Sequence, residues 1–353
     1  MVENQTTISV GLVGYGYWGP NLARNFSRQP SCCLVAICDL SSDRTEKARL
    51  EYPNALVTQN YDDLVNDDAI QLILVATPVF HHYELTKRAL EAGKDVLVEK
   101  PLTDNVVQAK ELVEIAEKRG RILAVDHTYL FTPAMIKIRE IIESRELGNL
   151  VYMDSVRVNL GLFQSDVNVI WDLAPHDFSI NRFLTGRSPS KVRAIGHCHG
   201  IKDKESIAYV HLDYEDGLFA HCHFNWLSPV KIRQMLICGS KKMIVYDDLE
   251  QSEKVKVYDK GITIQSSTPN DYSTINVGYR TGDMMVPNLT VREALDLEAE
   301  HILASSEAAT GRWSMGGSAL MSYARLAPVK TPWKKTGKRL ESRHDGYQDR
   351  RRC

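Results

Sequence analysis

The sequence predicts an α/β chain in two parts: a doubly wound parallel sheet over residues 1–126, and an α+β half over 127–334 built on an open, mainly antiparallel sheet. Three observations carry this. Apolar, β-branched runs alternate with helical spacing through the first 126 residues, the alternation stops near residue 127, and short polar turns then join one strand-like run to the next.

In order, TISVGLV (7–13), LVAICDL (34–40), IQLILVA (70–76), KDVLVE (94–99) and RILAVD (121–126) read as strands. They are nearly continuous apolar runs, as expected for parallel strands covered on both faces. Between them, 81–92 and 104–119 have helical spacing, with Leu85, Ala89 and Leu90 on one stripe and Val107, Leu112, Ile115 and Ala116 on another. Past residue 127 the sequence predicts a helix at 133–144, a strand at 150–160 and a helix from about 172 to 184. Strand-like runs follow at 190–198, 205–213, 217–226, 231–239 and 242–247, with turns such as YEDG (214–217) and GSKK (239–242) between them. Residues 335–353 are rich in Lys and Arg and read as a frayed, disordered tail.

A length of 353 residues suits two domains of ordinary size, and 43% hydrophobic with 25% charged residues is the profile of a soluble globular protein. A net charge of −2 gives no whole-chain field for nucleic acid or an anionic membrane. Residues 1–10 lack a signal-peptide pattern, and no apolar run approaches the ~18–20 residues of a membrane span. The seven cysteines form no CxxC pair. These features predict a cytoplasmic chain with reduced thiols and neither nucleic-acid nor membrane partners.

GLVGYGYWGPNLARNF (11–26) follows the first strand and opens a helix, placing Gly14-x-Gly16-x-x-Gly19 at the turn, with Tyr17 and Trp18 inside it. Gly14 permits the tight turn, Gly16 lets the backbone approach a pyrophosphate, and Gly19 allows close helix–strand packing. Helix amides then face the phosphates. Strand, turn, helix and the distant acid Asp39 together make a Rossmann dinucleotide site the reading, against a structural turn with no ligand. Asp39, ending the second strand, can accept hydrogen bonds from a ribose and repels a 2′-phosphate. With no cation immediately after it, although Arg44 is near, NAD is expected over NADP.

VATPVFHHY (75–83) and VEKPL (98–102) end two further strands, at the edge where open α/β sheets bind ligands, so Lys100 arrives on the cofactor's side. Far downstream, WDLAPHD (171–177) sets Asp172 and His176 one turn apart if a helix begins near Asp172. The alternative is that Asp172 caps that helix and His176 is a core histidine.

With Ala76-Thr77-Pro78, Glu99-Lys100-Pro101 and Asp172-x-x-x-His176 added to the glycine loop, the chain resembles the glucose–fructose oxidoreductase / inositol dehydrogenase (Gfo/Idh/MocA) family over roughly residues 8–300. The resemblance implies a Rossmann domain, an open-faced sheet domain, and NAD(P)-dependent oxidation or reduction of secondary alcohols on sugars, cyclitols or nucleotide sugars. It implies that Lys100 hydrogen-bonds the reacting oxygen, Asp172 holds a substrate hydroxyl and His176 is the general acid/base. It also implies that Thr77, Pro78, His81, Glu99 and Lys100 line the cofactor site, and that His127, in the linker HTYLFTP (127–133), contacts substrate. The segment at about 302–338 departs from the pattern, with Pro328 and Pro332 where helix is expected. A histidine near its ordinary pKa of about 6.5 suits proton transfer at neutral pH.

Two further patterns stand out. Lys231 and Arg233 alternate onto one strand face, where they could meet a diphosphate, or they are a solvated edge. His197, His199, His221 and His223 place imidazoles in pairs on strand faces. Zinc is one reading, but no closed-site spacing is present, so no metal is expected and a solvent or subunit face is preferred. In the family that face commonly forms an oligomer interface, so a homodimer or homotetramer is expected. The sequence therefore predicts an NAD-dependent oxidoreductase of a nucleotide-linked hexose. The alternatives are an inositol or free-sugar dehydrogenase and, from another class, a non-catalytic NAD-binding regulator.

Overall fold

The computed structural model describes residues 7–161, 167–200, 202–265 and 276–309. Pro328, Pro332 and the basic stretch 335–353 lie outside the described residues. The first half runs β1 (Ile8–Val13), α1 (Gly19–Ser27), β2 (Cys32–Cys38), α2 (Ser42–Glu51), β3 (Leu56–Thr58), α3 (Asp62–Val65), β4 (Leu72–Val75), α4 (His82–Glu91), β5 (Asp95–Glu99), α5 (Val106–Arg119) and β6 (Leu123–Asp126). All six strands pair in parallel in the order β3-β2-β1-β4-β5-β6. The chain reverses direction of travel between β1 and β4, which opens a crevice beyond their carboxyl ends. The strands are apolar on both faces because both are covered. Leu72 and Leu74 pack toward α1 with Leu22 and Phe26, while Ile73 and Val75 pack toward α4 and α5 with Leu90 and Leu112.

The second half runs α6 (Pro133–Glu143), β7 (Leu150–Leu160), α7 (Val169–Thr185), β8 (Lys191–His197), β9 (Ile207–Asp213), β10 (Phe219–Asn225), β11 (Leu227–Gly239), β12 (Met243–Asp247), β13 (Val255–Tyr258), β14 (Gly261–Gln265), β15 (Asn276–Arg280), β16 (Met284–Met285) and α8 (Ala294–Ala309). Eight of these strands form one sheet, ordered β16-β13-β12-β11-β7-β10-β9-β8, in which only β7 and β10 pair in parallel; β14 and β15 form a separate hairpin. One face, carrying Met153, Val210, Cys222, Phe224 and Met235, packs against α6 and α7 through Met135, Ile138, Ile180 and Phe183.

One expectation is corrected. Helix α7 starts at Val169 with the Asn168 side chain accepting the Trp171 amide, so Asp172 lies inside its first turns and does not cap it. Helix α8 leaves the second half: Leu295, Ala299, Ile302 and Leu303 join the core beneath the first sheet, and Glu293 pairs with Arg24 of α1 at 2.6 Å.

The orientation of α7 rests on a buried ion pair. Arg157 of β7 pairs with Asp177, both nearly inaccessible, and the Arg157 guanidinium lies 4.7 Å from the centre of the Tyr129 ring. Pulling Asp177 onto the sheet turns Asp172 and His176, on the neighbouring helix face, toward the first half. Replacing one partner of such a pair strands the other charge. Arg157→Met should cost about 3–5 kcal/mol of stability in urea unfolding; a loss below about 1 kcal/mol would show that the pair does not anchor the helix.

Candidate active site

The glycine turn after β1 is built for close approach. Gly14 has φ +95°, and a Cβ there would meet the Ala76 carbonyl oxygen at 2.5 Å; a Cβ on Gly19 would meet the Gly14 carbonyl oxygen at 2.1 Å. Gly16 differs, because the nearest atoms to a Cβ there belong to the Arg44 guanidinium, from 3.4 Å, the far end of a flexible side chain at ordinary contact distance. No side chain caps the start of α1; Pro20 has no N–H and the Asn21 and Leu22 amides donate to the Trp18 carbonyl, which leaves the Gly19 amide for an anion. The groove above is a cavity of about 720 Å³ walled by Gly14, Gly16, Asp39, Thr77, Pro78 and Lys100, among others. Tyr17, Trp18, His81 and Glu99 line it too. Gly19 works from behind, under the turn.

Asp39 is held rigidly at the end of β2. One oxygen accepts the Tyr15 amide at 2.6 Å, the other accepts the Ser41 amide at 2.9 Å, and Arg44 Nη1 lies 3.5 Å away. Thr77 Oγ1 is buried without a hydrogen-bond partner, an orphaned polar atom on the groove wall. The turn, the Gly19 amide, the fixed acid and this orphan fit a dinucleotide.

A second cavity, about 530 Å³, adjoins the groove; Tyr17, Trp18, Glu99 and Lys100 wall both, and Asp126, Thr128, Tyr129, Thr132 and His176 complete it. Lys100 stands at the junction. Its Nζ lies 3.7 Å from Asp172 Oδ1 and donates to the Asp172 carbonyl at 3.2 Å, while Trp226 Nε1 donates to Asp172 Oδ2 at 3.0 Å. The Tyr129 ring packs edge-on to His176 at 4.8 Å. His176 Nδ1 is enclosed without a partner, which leaves Nε2 as the ring nitrogen open to the cavity.

The expectation that His176 titrates near 6.5 fails. Burial, and then the charges of Arg157 and Lys100, hold its pKa well below that value, so the ring is neutral at neutral pH. Burial likewise lowers His127 to about 4. Its Nδ1 is enclosed, and its ring lines neither cavity wall. Lys231 and Arg233 do not line the junction either. The β11–β7 register breaks between Leu227 and Ile232, so strict alternation does not carry Lys231 onto the face of Arg233. Arg233 is instead spent on the Tyr129 hydroxyl at 2.5 Å and Asp248 at 3.4 Å. On the outer sheet face, the Tyr209 ring stacks on His223 at 4.4 Å, and no metal-binding group of three His, Cys, Asp or Glu residues occurs among the described residues.

Sequence reading missed His82, which is 1% exposed and sits between two carbonyls, Thr77 O at 2.7 Å and Pro101 O at 2.8 Å, tying together the loops after β4 and β5. The signal was present: His82 shares the buried face of α4 with Thr86, Ala89 and Leu90, which His81 does not. Asp126 was also missed. It accepts Trp18 Nε1 at 2.6 Å and so fixes the indole between the cavities.

Comparison with known proteins gives a consistent picture. A family model described as "Oxidoreductase family, NAD-binding Rossmann fold" matches residues 8–127, and one described as "GFO/IDH/MocA C-terminal domain" matches residues 135–245. The chain is similar to scyllo-inositol 2-dehydrogenase (NADP(+)) IolW of Bacillus subtilis, with 30% identity over 60% of each chain. It is also similar to UDP-N-acetylglucosamine 3-dehydrogenase of Acidithiobacillus ferrooxidans, with 25% identity over 71% of this chain and 77% of the relative. The structure of that enzyme superposes with a TM-score of 0.71 at 22% identity, covering 91% of this chain and 94% of the other. The matches to the uncharacterized oxidoreductases YrbE of Bacillus subtilis and YdgJ of Escherichia coli cover 57% and 51% of those proteins, so the chain spans about half their length. Among the described residues no helix is long and apolar enough to cross a membrane.

The burial of His176 has a direct readout. In an NMR titration of the full chain its ring should protonate well below pH 6.5; a midpoint at or above 6.5 would contradict the electrostatic description of the cavity.

Proposed function

Because the chain belongs to the Gfo/Idh/MocA oxidoreductase family, with its NAD-binding Rossmann domain at residues 8–127, we propose that it oxidises a secondary alcohol of a sugar with NAD at the junction of the two cavities. The observation that carries this is the position of Lys100, which walls both cavities and is tied to Asp172 one helical turn from His176. When bound, NAD would supply a hydride acceptor, with its phosphates on the Gly14–Gly19 turn and a ribose at Asp39. The chain's own residues handle the proton. The Lys100 ammonium stabilises negative charge developing on the carbinol oxygen, Asp172 orients Lys100, and neutral His176 takes the hydroxyl proton at Nε2. The cations that disfavour imidazolium keep this base ready in acid solution and make it release the proton readily afterwards.

The substrate reading is a hexose-derived ring in the second cavity, carried on a nucleotide. Lys231 and Arg233 lend it no support. What favours an extended substrate is a further cavity of about 870 Å³, which shares Thr132 as a wall with the ring cavity and is lined by Tyr246, Lys254, Asn288 and Arg292. The similarity to an inositol dehydrogenase favours a cyclitol or free sugar as the second reading. Self-association through the outer sheet face, where Val192, Ile195 and Tyr209 are exposed, belongs to the same proposal and is read by sedimentation of the purified chain.

A screen of UDP- and dTDP-hexoses, free hexoses and inositols for NADH formation tests the reading. Nucleotide-linked sugars should be preferred; equal rates with free sugars would move the assignment to the second reading, and no turnover with any polyol would overturn it. Lys100→Ala and His176→Ala should each lose at least ~100-fold in turnover with NAD affinity nearly intact. Asp39→Ala should weaken NAD binding and relax discrimination against NADP, since it frees Arg44 toward a 2′-phosphate. Tighter binding of NADP than NAD by the unmodified chain would reverse the cofactor preference.

A further inference from the structure

Three carboxyl groups converge below the junction. Glu99 ends β5, Asp126 ends β6, and Glu298 comes in from α8; Glu99 and Glu298 each hydrogen-bond the Asp126 side chain. Two carboxyls share a hydrogen bond only when one of them carries a proton. Asp126 is the acceptor at the centre of the cluster: it accepts Trp18 Nε1 at 2.6 Å, the Thr128 amide at 3.1 Å and the Thr128 hydroxyl.

Glu99 and Glu298 are not equivalent. Glu298 is 1% exposed, and its Oε2 has no partner. Glu99 lines both cavities, and its Oε2 accepts the Lys100 amide at 2.9 Å. Burial first, and then Asp126, push the Glu99 carboxyl up to about 9, whereas Glu298 is raised still further from its ordinary value. The other ionisable groups around Glu99 are Lys100 on its own strand end, Tyr17 and Tyr129 on the cavity walls, Asp172 and His176 across the cavity on α7, and His127 beyond β6. Both histidines are neutral, so Lys100 is the cation beside the cluster.

We propose that Glu99 reads the charge of the nicotinamide: its carboxyl keeps its proton beside the neutral reduced ring and gives it to solvent when the cationic oxidised ring occupies the junction. This rests on the cofactor reading above. An opposite charge within ~4–6 Å lowers a carboxyl pKa by about 1–3, enough to carry Glu99 through neutrality while sealed Glu298 stays protonated. The balance is simple: Glu99–COOH becomes Glu99–COO⁻, and the proton leaves through the open cavities. Oxidised cofactor then binds more tightly as pH rises toward 9, by up to about tenfold per pH unit, and reduced cofactor does not.

Calorimetric titration of the full chain with NAD⁺ and with NADH at pH 8, in two buffers of different ionisation enthalpy, counts the protons. Roughly half a proton or more should be released with NAD⁺ and about none with NADH. Glu99→Gln should abolish the difference, and Glu298→Gln, whose amide replaces a protonated acid as donor to Asp126, should keep it. Equal proton counts for the two forms in the unmodified chain, or a difference that survives Glu99→Gln, would overturn the proposal. Failure of either form to bind would instead overturn the cofactor reading.

Discussion

The Lys100 ammonium reaches from the end of β5 to the first turns of α7, where it meets both the carboxylate and the backbone carbonyl of Asp172. This contact crosses from the first half of the chain to the second, and the site depends on it. On one side stands a groove shaped by residues that permit close approach. On the other stands a cavity lined by His176, which is carried on the same helix that holds Lys100. Trp226, at the corner between β10 and β11, fixes the far oxygen of Asp172, so the sheet of the second half also sets where the ammonium points.

Around that contact the charges are distributed by burial. His176 and His127 are enclosed and neutral, and Arg157 is neutralised by Asp177, while Glu99 and Glu298 share protons with Asp126. The cavity therefore sets the Lys100 side chain and an uncharged His176 ring along one wall. That arrangement suits the abstraction of a proton from a neutral alcohol, because nothing in it requires a buried charge to stand unpaired.

Much of this was legible in the sequence because it rests on local rules. The strand runs of the first half, the glycine turn, Asp39, and the one-turn spacing of Asp172 and His176 follow from periodicity and backbone geometry, and Gly14, Gly16, Asp39, Asp172 and His176 wall the two cavities. What escaped depends on three-dimensional neighbours. Helix α2 is polar with only Thr45 and Ala48 buried, so it has no stripe to read, and β3 is three residues long. The depression of His176 comes first from burial and then from cations on other elements, which spacing does not show. The alternation that joined Lys231 to Arg233 failed at an irregularity in β11, and the return of α8 to the first core reflects packing between segments some 270 residues apart in the chain, as in the Arg24–Glu293 pair.

The account stands on Lys100 and Asp172 acting as one unit across the boundary, and a double-mutant cycle in kcat/KM measures that directly. If the two act together, Lys100→Ala, Asp172→Ala and the double variant should lose nearly the same activity, with a coupling close to the single-variant loss, about 3 kcal/mol for a loss of ~100-fold. Losses that simply add, with coupling below about 0.5 kcal/mol, would mean that the contact does not assemble the site.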